Sequence, residues 1–216
     1  MVKNGLVIFV SGRGSNLEAI ISASKSRFIP SKVSAVIADR NCKGIDIAKK
    51  NKLHSIVINK KIYDTKLEFE KKLVDETKKF EPKLIILAGF LHILSKNFLN
   101  YFPSKVINIH PSLLPSFKGL DTHKRAKDAG VLIHGCTVHY VSEKVDDGKI
   151  IAQGATNILN DYSIEEISKR ILKIEHDLYP TAIAKLLKKN IKNNEKNLIF
   201  SYYKWYRVRF IWTIKH

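Results

Sequence analysis

The stretch INIHPSLLP, residues 107–115, ends an apolar run with two polar side chains two positions apart. Residues i and i+2 of a strand lie on the same face, so Asn108 and His110 are expected to point the same way. The prolines that follow lack the N–H that a strand needs for pairing, so the strand is expected to stop at the polar pair. Because ligands of open α/β sheets bind at the carboxyl ends of strands, the stretch predicts a functional site there.

Before this stretch, short apolar runs typical of strands alternate with segments that have helical periodicity. Strands are predicted at 6–10, 32–38, 54–58, 84–88 and 105–109, and helices at 15–24, 45–51, 65–80 and 96–101. After it, a helix at 122–129, strands at 135–141 and 149–158 and a long helix at 163–189 are predicted. This order predicts an α/β fold: an open, mostly parallel twisted sheet with helices on both faces and an antiparallel edge. The apolar stripe of the 65–80 helix is expected to be Leu67, Phe69, Leu73 and Val74.

The composition indicates one domain without a membrane span. The chain has 216 residues, 44% of them hydrophobic, which suffices for one core over 1–190. It lacks a run of about 18 apolar residues. Two cysteines, Cys42 and Cys136, stand far apart, which favours a reducing, cytoplasmic location. No metal is predicted, because the spacings of His123, His134, His139 and His176 match no compact ligand motif.

The net charge of +18 and the tail over residues 191–216 raise the question of nucleic acid. The lysine excess runs through the whole chain, so we interpret most lysines as solvated surface and do not expect nucleic-acid binding. In the tail, basic residues interleave with aromatic residues, a pattern that can stack bases. A last strand or a self-association edge is the favoured interpretation of the tail, and the latter is compatible with a homodimer.

The sequence SGRGSN, residues 11–16, lies between the first predicted strand and helix. Its glycines permit close backbone approach, and the helix N-terminus supplies free N–H groups, which favours a phosphate. No GK[ST] follows, and Leu17 stands where a dinucleotide fingerprint needs its third glycine. The segment therefore predicts a phosphate site that belongs to neither of those two motifs.

Asn108 and His110 are the candidate catalytic pair. An amide can donate to an oxyanion, and an imidazole can supply or accept a proton. Asp146 and Asp147 lie in the predicted turn 143–148, and one of them is expected to pair with His110 if the turn folds over the strand end. For covalent catalysis, the remaining weaker candidates are Ser112 and Cys136.

These motifs, taken together and in order over residues 6–180, resemble the phosphoribosylglycinamide formyltransferases, a folate-dependent family. The resemblance is carried by residues 11–16 (SGRGSN), 88–94 (AGFLHIL), 108–115 (NIHPSLLP), 119–123, 134–139 (HGCTVH), the Asp146 turn, and 174–180. It implies a Rossmann-like formyltransferase fold, with a phosphate-binding half over 1–110 and a folate and catalytic half over 111–190.

The resemblance also implies the reaction and the residue roles. The formyl group of 10-formyltetrahydrofolate would pass to the amine of glycinamide ribonucleotide (GAR), both small-molecule substrates. Asn108 and His110 would polarise the formyl group, and Asp146, chosen over Asp147 by motif register, would pair with His110. The GAR phosphate and ribose would be held by Gly12, Arg13, Gly14, Ser15, Asn16 and Glu175. The folate pocket would be lined by Phe90, Leu91, His92, Ile93, Leu94, Asn108, Val141 and Asp146.

Three positions depart from the family pattern, and three other functions stay open. His92 stands where many relatives carry arginine, Asp121 replaces a frequent histidine, and Asp147 replaces a frequent glycine. Formyltetrahydrofolate hydrolases and methionyl-tRNA formyltransferases share the fold and an NIHPSLLP-like strand. An RNA-binding protein that uses the basic tail is the third alternative.

Overall fold

The computed structural model describes residues 2–159 and 161–189. The strands are β1 Leu6–Val10, β2 Val33–Ala38, β3 Ser55–Val57, β4 Leu84–Leu87, β5 Val106–His110, β6 Ile133–Tyr140 and β7 Ile150–Asn157. The helices are α1 Ser15–Lys25, α2 Lys43–Lys50, α3 Lys66–Lys78, α4 Lys96–Tyr101, α5 Thr122–Asp128 and α6 Ile164–Lys189. The predicted strands and helices are therefore confirmed, with ends that move by a few residues. A short 3-10 turn, Lys60–Ile62, was not predicted.

One seven-stranded sheet has the order β3-β2-β1-β4-β5-β6-β7. The pairs from β3 to β5 are parallel, and β6 and β7 each pair antiparallel with the strand before them. The mostly parallel sheet with an antiparallel edge is thus confirmed. The chain builds outward from β1 to β3, then crosses back and adds β4 on the other side of β1. Ligands of such sheets bind at this switch point, between the carboxyl ends of β1 and β4.

Helices cover both faces of the sheet. Along β1, Leu6, Ile8 and Val10 pack in the cluster that holds the apolar side chains of α1, α2 and α6. Val7 and Phe9 pack in the opposite cluster with those of α3 and α4. A strand buried on both faces reads as a continuous apolar run, which is why the sequence pattern locates β1 so well. Within the described ranges, no helix is both long and apolar enough to cross a membrane.

The predicted stripe of α3 is wrong at Leu67. This side chain is 62% exposed and lines an open groove between α3 and α4. It lies in the first turn, and Thr65 and Glu68 form the capping box that starts the helix there. The buried face carries Glu70 instead, together with the predicted apolar residues further along. A second capping box, formed by Ser163 and Glu166, starts α6.

The predicted basic and aromatic tail over 191–216 lies outside the described residues. The division of the chain into a domain over 1–190 and that tail remains a prediction.

Candidate active site

The loops after β1 and β4 are tied together at the switch point. The Ser11 N–H donates to the Gly89 carbonyl at 3.0 Å, and the Leu91 N–H donates to the Ser11 hydroxyl at 3.0 Å. The predicted phosphate loop and the predicted folate segment are therefore fixed against each other by both the backbone and the side chain of one serine.

The loop over residues 11–16 needs glycine at position 14. Gly14 has φ +79° at the start of α1, a conformation that L side chains rarely adopt. A Cβ there would also lie 2.9 Å from Gly44 Cα. Gly12 and Arg13 are exposed, while Ser15 is half-buried. The first N–H groups of α1 lack intrahelical partners, so this loop offers donors and the positive end of a helix dipole to an anion.

Asn16 and Glu175 meet beside this loop. Asn16 Nδ2 donates to Glu175 Oε2 at 2.7 Å, which joins α1 to α6. Burial raises the pKa of Glu175, and the Asn16 hydrogen bond only partly offsets that effect. Asn16 Oδ1 is buried and has no hydrogen-bond partner in the described part of the chain. A buried acceptor and a buried carboxylate here can both receive hydrogen bonds from a hydroxylated ligand.

His110 ends β5 between two acceptors. Its Nδ1 lies 3.3 Å from Asp146 Oδ2, and its Nε2 lies 3.0 Å from the Phe117 carbonyl oxygen. The Gly119 N–H donates to the same Asp146 oxygen at 2.9 Å. Asp146 has φ 51°, a left-handed conformation that bends the turn over the strand end. Both ring nitrogens of His110 therefore face oxygen atoms that can accept hydrogen bonds.

Asp147, the neighbour of Asp146, faces away from His110. Its carboxylate pairs with the ammonium group of Lys118 at the surface. That hydrogen bond and the charge of Lys118 lower the pKa of Asp147. The structure therefore brings Asp146 to His110 and leaves Asp147 in solvent.

His139 completes the cluster, although the sequence assigned it no catalytic role. Its Nε2 lies 3.3 Å from Asn108 Nδ2 and 3.7 Å from Asp146 Oδ1. Its Nδ1 lies 2.9 Å from the Tyr140 carbonyl oxygen, so a neutral ring donates there and accepts from Asn108 at Nε2. Burial lowers the pKa of His139, although the Tyr140 carbonyl and Asp146 oppose this, and the neutral form is favoured. His139 thus fixes the amide of Asn108 and leaves one of its N–H groups for a ligand.

Two further contacts anchor this site. The buried Tyr179 hydroxyl of α6 lies 3.0 Å from the Leu87 carbonyl and 3.1 Å from the Ile107 carbonyl, and so ties β4 to β5 just before Asn108. Gly148 follows the Asp146 turn, and a Cβ at this position would collide with the Tyr140 carbonyl oxygen. The turn therefore lies directly against β6.

The segment 90–94 alternates between buried and exposed side chains. Phe90 and Leu94 are buried, while Leu91 and Ile93 are 68% and 56% exposed. His92 is also buried, with Nε2 3.2 Å from Glu70 Oε1. The exposed pair therefore offers an apolar surface, whereas the ring of His92 belongs to the interior.

The remaining folate-pocket candidate, Val141, is half-buried after β6. Its N–H donates to the Val106 carbonyl at 2.9 Å, so it continues the pairing of β6 with β5. The loop that leads to Asp146 begins here, next to the strand that carries Asn108.

Neither candidate for covalent catalysis fits that role. The Ser112 hydroxyl is buried and donates to the Ser116 carbonyl at 2.6 Å. Burial raises the pKa of the Cys136 thiol far above its ordinary value, which disfavours the thiolate. The structure therefore supports neither residue as a nucleophile.

Among the histidines considered as metal ligands, His123 and His134 contact each other, with Nδ1 and Nε2 3.1 Å apart. Within residues 2–159 and 161–189, no three His, Cys, Asp or Glu side chains are grouped as a metal site would require.

A model of the formyl transferase family matches residues 4–183, which is most of the chain. The chain belongs to the formyl transferase family. It is 38% identical over 179 residues to the phosphoribosylglycinamide formyltransferase of Haemophilus influenzae, covering 82% of this chain and 84% of that protein. The enzyme of the same name from Bacillus subtilis is 39% identical over 181 residues, covering 83% of this chain and 93% of that protein.

Other formyl transferase relatives are longer proteins. The human trifunctional purine biosynthetic protein adenosine-3 is 36% identical over 182 residues, which is 84% of this chain but 18% of that protein. The bovine protein of the same name is likewise matched over only 18% of its length.

Solved formyl transferase structures have the same fold. The phosphoribosylglycinamide formyltransferase of Brucella melitensis superposes with a TM-score of 0.81 at 40% identity, covering 85% of this chain and 95% of that one. Glycinamide ribonucleotide transformylase 1 of Symbiobacterium toebii gives a TM-score of 0.83 at 34% identity, covering 87% and 88%.

The three departures from the formyl transferase pattern have separate places in the structure. His92 is buried against Glu70 and Asp147 pairs with Lys118, as described above. Asp121 is exposed at the start of α5, where its carbonyl accepts from the Arg125 N–H at 2.9 Å. None of these three side chains contacts His110.

Proposed function

We propose that this chain transfers the formyl group of 10-formyltetrahydrofolate to the amine of GAR, giving N-formyl-GAR and tetrahydrofolate. The observation that carries the proposal is the cluster of Asn108, His110 and Asp146 at the sheet edge that also holds the glycine loop. Relatives named phosphoribosylglycinamide formyltransferase align with the chain over 84% and 93% of their own lengths, which supports it.

Asn108 and His110 polarise the formyl group in this proposal. The free N–H of the Asn108 amide donates to the formyl oxygen, and the Nε2–H of His110 does so by exchanging the Phe117 carbonyl for this oxygen, so electrons are drawn away from the formyl carbon. When the amine of GAR attacks, the same donors stabilise the negative charge that develops on that oxygen. Removing one such donor typically lowers kcat by about 10²-fold to 10³-fold.

Asp146 supports the reaction through charge. Its carboxylate stabilises the charged form of His110, which needs a negative partner in a site with little solvent. It also accepts the proton that the attacking amine loses as the new C–N bond forms, and the proton passes on to the nitrogen of the folate product as the old C–N bond breaks. No covalent enzyme intermediate is required.

The two substrates bind on opposite sides of this cluster. The phosphate of GAR lies on Gly12, Arg13, Gly14 and Ser15 at the start of α1. Asn16 and Glu175 accept from the ribose hydroxyls. The folate ring system packs on the exposed apolar side chains of the segment 90–94 and on the loop from Val141 to Asp146.

The competing folate enzymes are less well supported. A hydrolase needs water in place of the amine and has no use for a phosphate loop. A methionyl-tRNA formyltransferase acts on a macromolecule, whereas the loop over residues 11–16 suits a small phosphorylated substrate. The named relatives that match over most of their length carry the GAR activity in their names.

An absorbance assay tests the proposed function. Purified protein is mixed with 10-formyltetrahydrofolate, and loss of the formyl group is followed with and without GAR. We expect turnover that requires GAR and that is lost in His110→Ala. Formyl release without GAR would indicate a hydrolase, and absence of turnover together with salt-sensitive RNA binding would favour the RNA-binding alternative.

We further propose that residues 1–190 form one formyltransferase domain located in the cytoplasm. All the side chains assigned to the site lie before residue 176, and both cysteines are free thiols. A homodimer stays a prediction that sedimentation of the purified protein can test.

A further inference from the structure

Glu70 places a carboxylate on the buried face of α3. Its side chain is 3% exposed, and it shares this face with Phe69, Leu73 and Val74. Removing a carboxylate from water is costly unless other groups compensate for the lost hydration. An apolar residue of similar size is often as good for stability in such a position. Stability alone therefore does not explain a glutamate at position 70, whereas its hydrogen-bond partners do.

Both oxygens of Glu70 contact the chain that follows β4. Oε1 lies 3.2 Å from His92 Nε2 and accepts from the Ser95 N–H at 3.0 Å. Oε2 accepts from the Ser95 hydroxyl. Lys66 Nζ lies 3.8 Å from Oε1 at the solvent edge. One carboxylate thus joins α3 to two points of the segment that precedes α4.

The charge state of Glu70 fits these contacts. Burial alone raises its pKa, but the hydrogen bonds from His92 and Ser95 and the charge of Lys66 together outweigh burial, so the pKa lies below its ordinary value. Glu70 is therefore a carboxylate at neutral pH and accepts from each neighbour. His92 in turn carries a proton on Nε2.

The ring of His92 is held from three sides. Phe69 of α3 lies at 4.9 Å between ring centroids and at 77° to the imidazole, and Phe90 lies at 6.2 Å and 71°. Glu70 contacts Nε2 of the same ring. The imidazole is thus packed and hydrogen-bonded inside the protein, so it cannot turn toward a ligand without breaking all of these contacts.

The buried His92 decides which side chains of the segment face outward. With His92 and Leu94 inside, Leu91 and Ile93 are directed outward and remain largely exposed. Buried and exposed side chains alternate along residues 90–94, so turning His92 outward would carry Leu91 and Ile93 toward the interior. The Glu70 contact therefore selects the surface that the segment presents.

Ser95 fixes the other end of the segment. Its hydroxyl donates to Glu70 and accepts from the Phe98 N–H at 3.3 Å, which caps the start of α4. Because the single hydroxyl proton is committed to Glu70, the oxygen lone pairs remain for the cap. Glu70 thus orients the capping group as well as the segment.

We propose that Glu70 is a positioning residue of the folate pocket. Through His92 and Ser95 it holds residues 91–94 with Leu91 and Ile93 outward, in the conformation that binds the ring system of 10-formyltetrahydrofolate. Glu70 itself does not touch this cosubstrate. The proposal rests on the proposed function, because it takes this segment as the folate-binding surface.

The test compares Glu70→Leu with Glu76→Leu. Glu76 lies on the same helix, pairs with Lys72 and Lys79, and has no contact with the segment among the described interactions. We expect Glu70→Leu to raise KM for 10-formyltetrahydrofolate by about tenfold or more, with KM for GAR within about twofold of wild type. Glu76→Leu is expected to leave both KM values unchanged.

A second variant, Glu70→Gln, keeps the volume and one acceptor, and serves if the leucine variant does not fold. We expect it to raise KM for the folate by about threefold and to leave KM for GAR unchanged. A folded Glu70→Gln with both KM values at wild-type levels, or with both raised equally, would overturn the proposal. Failure of the wild-type protein to transfer formyl to GAR would instead reject the proposed function, so the two failures are distinct.

Discussion

His110 at the end of β5 and Asp146 in the turn between β6 and β7 are each held by backbone groups as well as by each other. The Phe117 carbonyl and the Gly119 N–H belong to the chain after the INIHPSLLP stretch, so this one loop contacts both side chains. The pairing therefore depends on the left-handed conformation of Asp146 and on this loop together. A change of charge at Asp146 removes the partner of His110 and leaves the loop hydrogen bond with a weaker acceptor.

We expect Asp146→Asn to lower kcat for formyl transfer by about 10²-fold or more, since a positioned acid-base group contributes on this scale. Asp147→Asn is the matched control, because it alters only a surface ion pair with Lys118. Such pairs contribute little, so its kcat is expected within about twofold of wild type. Steady-state kinetics at saturating substrate measure both. A larger loss in Asp147→Asn would show that Asp147, not Asp146, serves His110.

Residue roles differ in how far sequence reveals them. The spacing of Asn108 and His110 on one strand predicted a shared face, because strand alternation is a local rule. His139 was missed as their neighbour, since its contact with Asn108 depends on the β5–β6 register, and the long connection through α5 over residues 111–132 does not reveal that register. The Phe117 carbonyl contact carries no side-chain signal at all. The choice between Asp146 and Asp147 came from the motif register, and the backbone of the turn places only Asp146 at His110.

Among the elements, α3 is the one whose buried face departs from the apolar pattern. Helical periodicity places Leu67 in line with Val74, but the first turn of the helix lies beside an open groove that no other element fills. Glu70 is buried in spite of its charge because the segment after β4 supplies its donors. A periodicity rule counts apolar residues and has no access to such tertiary partners, so it predicts the helix and misassigns two of its positions.

We expect Leu73→Ala to lower the free energy of unfolding by about 2–5 kcal/mol, because Leu73 is fully buried in α3 and its removal leaves a cavity. Leu67→Ala makes the same change in the same helix at an exposed position, and is expected to alter stability by less than about 0.5 kcal/mol. Urea unfolding of both variants provides the comparison. Equal losses would place Leu67 in the core after all.

For the molecule as a whole, several histidines are harder to protonate in the folded protein than in the unfolded chain, so acid lowers its stability. Burial lowers the pKa of His134 from 6.5 to about 4, with smaller contributions from the nearby His123 and His110. Burial also lowers the pKa of His123, His139 and His176. The unfolded chain binds protons at these groups more tightly than the folded protein, so stability is full above about pH 6.5 and falls as the pH decreases.

We expect the free energy of unfolding to drop between pH 6.5 and pH 4, the range set by the unfolded and folded pKa of His134. His134 alone contributes about 3 kcal/mol of this loss. In His134→Asn the decrease over the same range is expected to be smaller by that amount, as measured by urea unfolding at pH 7, 5.5 and 4. An unchanged slope in the variant would mean that His134 titrates normally in the folded protein.

The tail over residues 191–216 offers a test of the domain boundary. The family match ends at residue 183, and all site residues precede it. A chain that ends at residue 190 is therefore expected to keep kcat and both KM values within about twofold of the full chain. RNA binding measured at low and high salt, for both lengths, is the companion experiment. Loss of formyl transfer on truncation would extend the domain into the tail.

Gly148 limits which loop positions can be substituted to change the cosubstrate of this enzyme. The chain from Val141 to Asp147 is largely exposed, so a library can vary its side chains other than Asp146 to accept altered folates. Position 148 has no such freedom, because any side chain there meets the Tyr140 carbonyl oxygen. A selection for new cosubstrates should therefore return glycine at position 148 in every active clone.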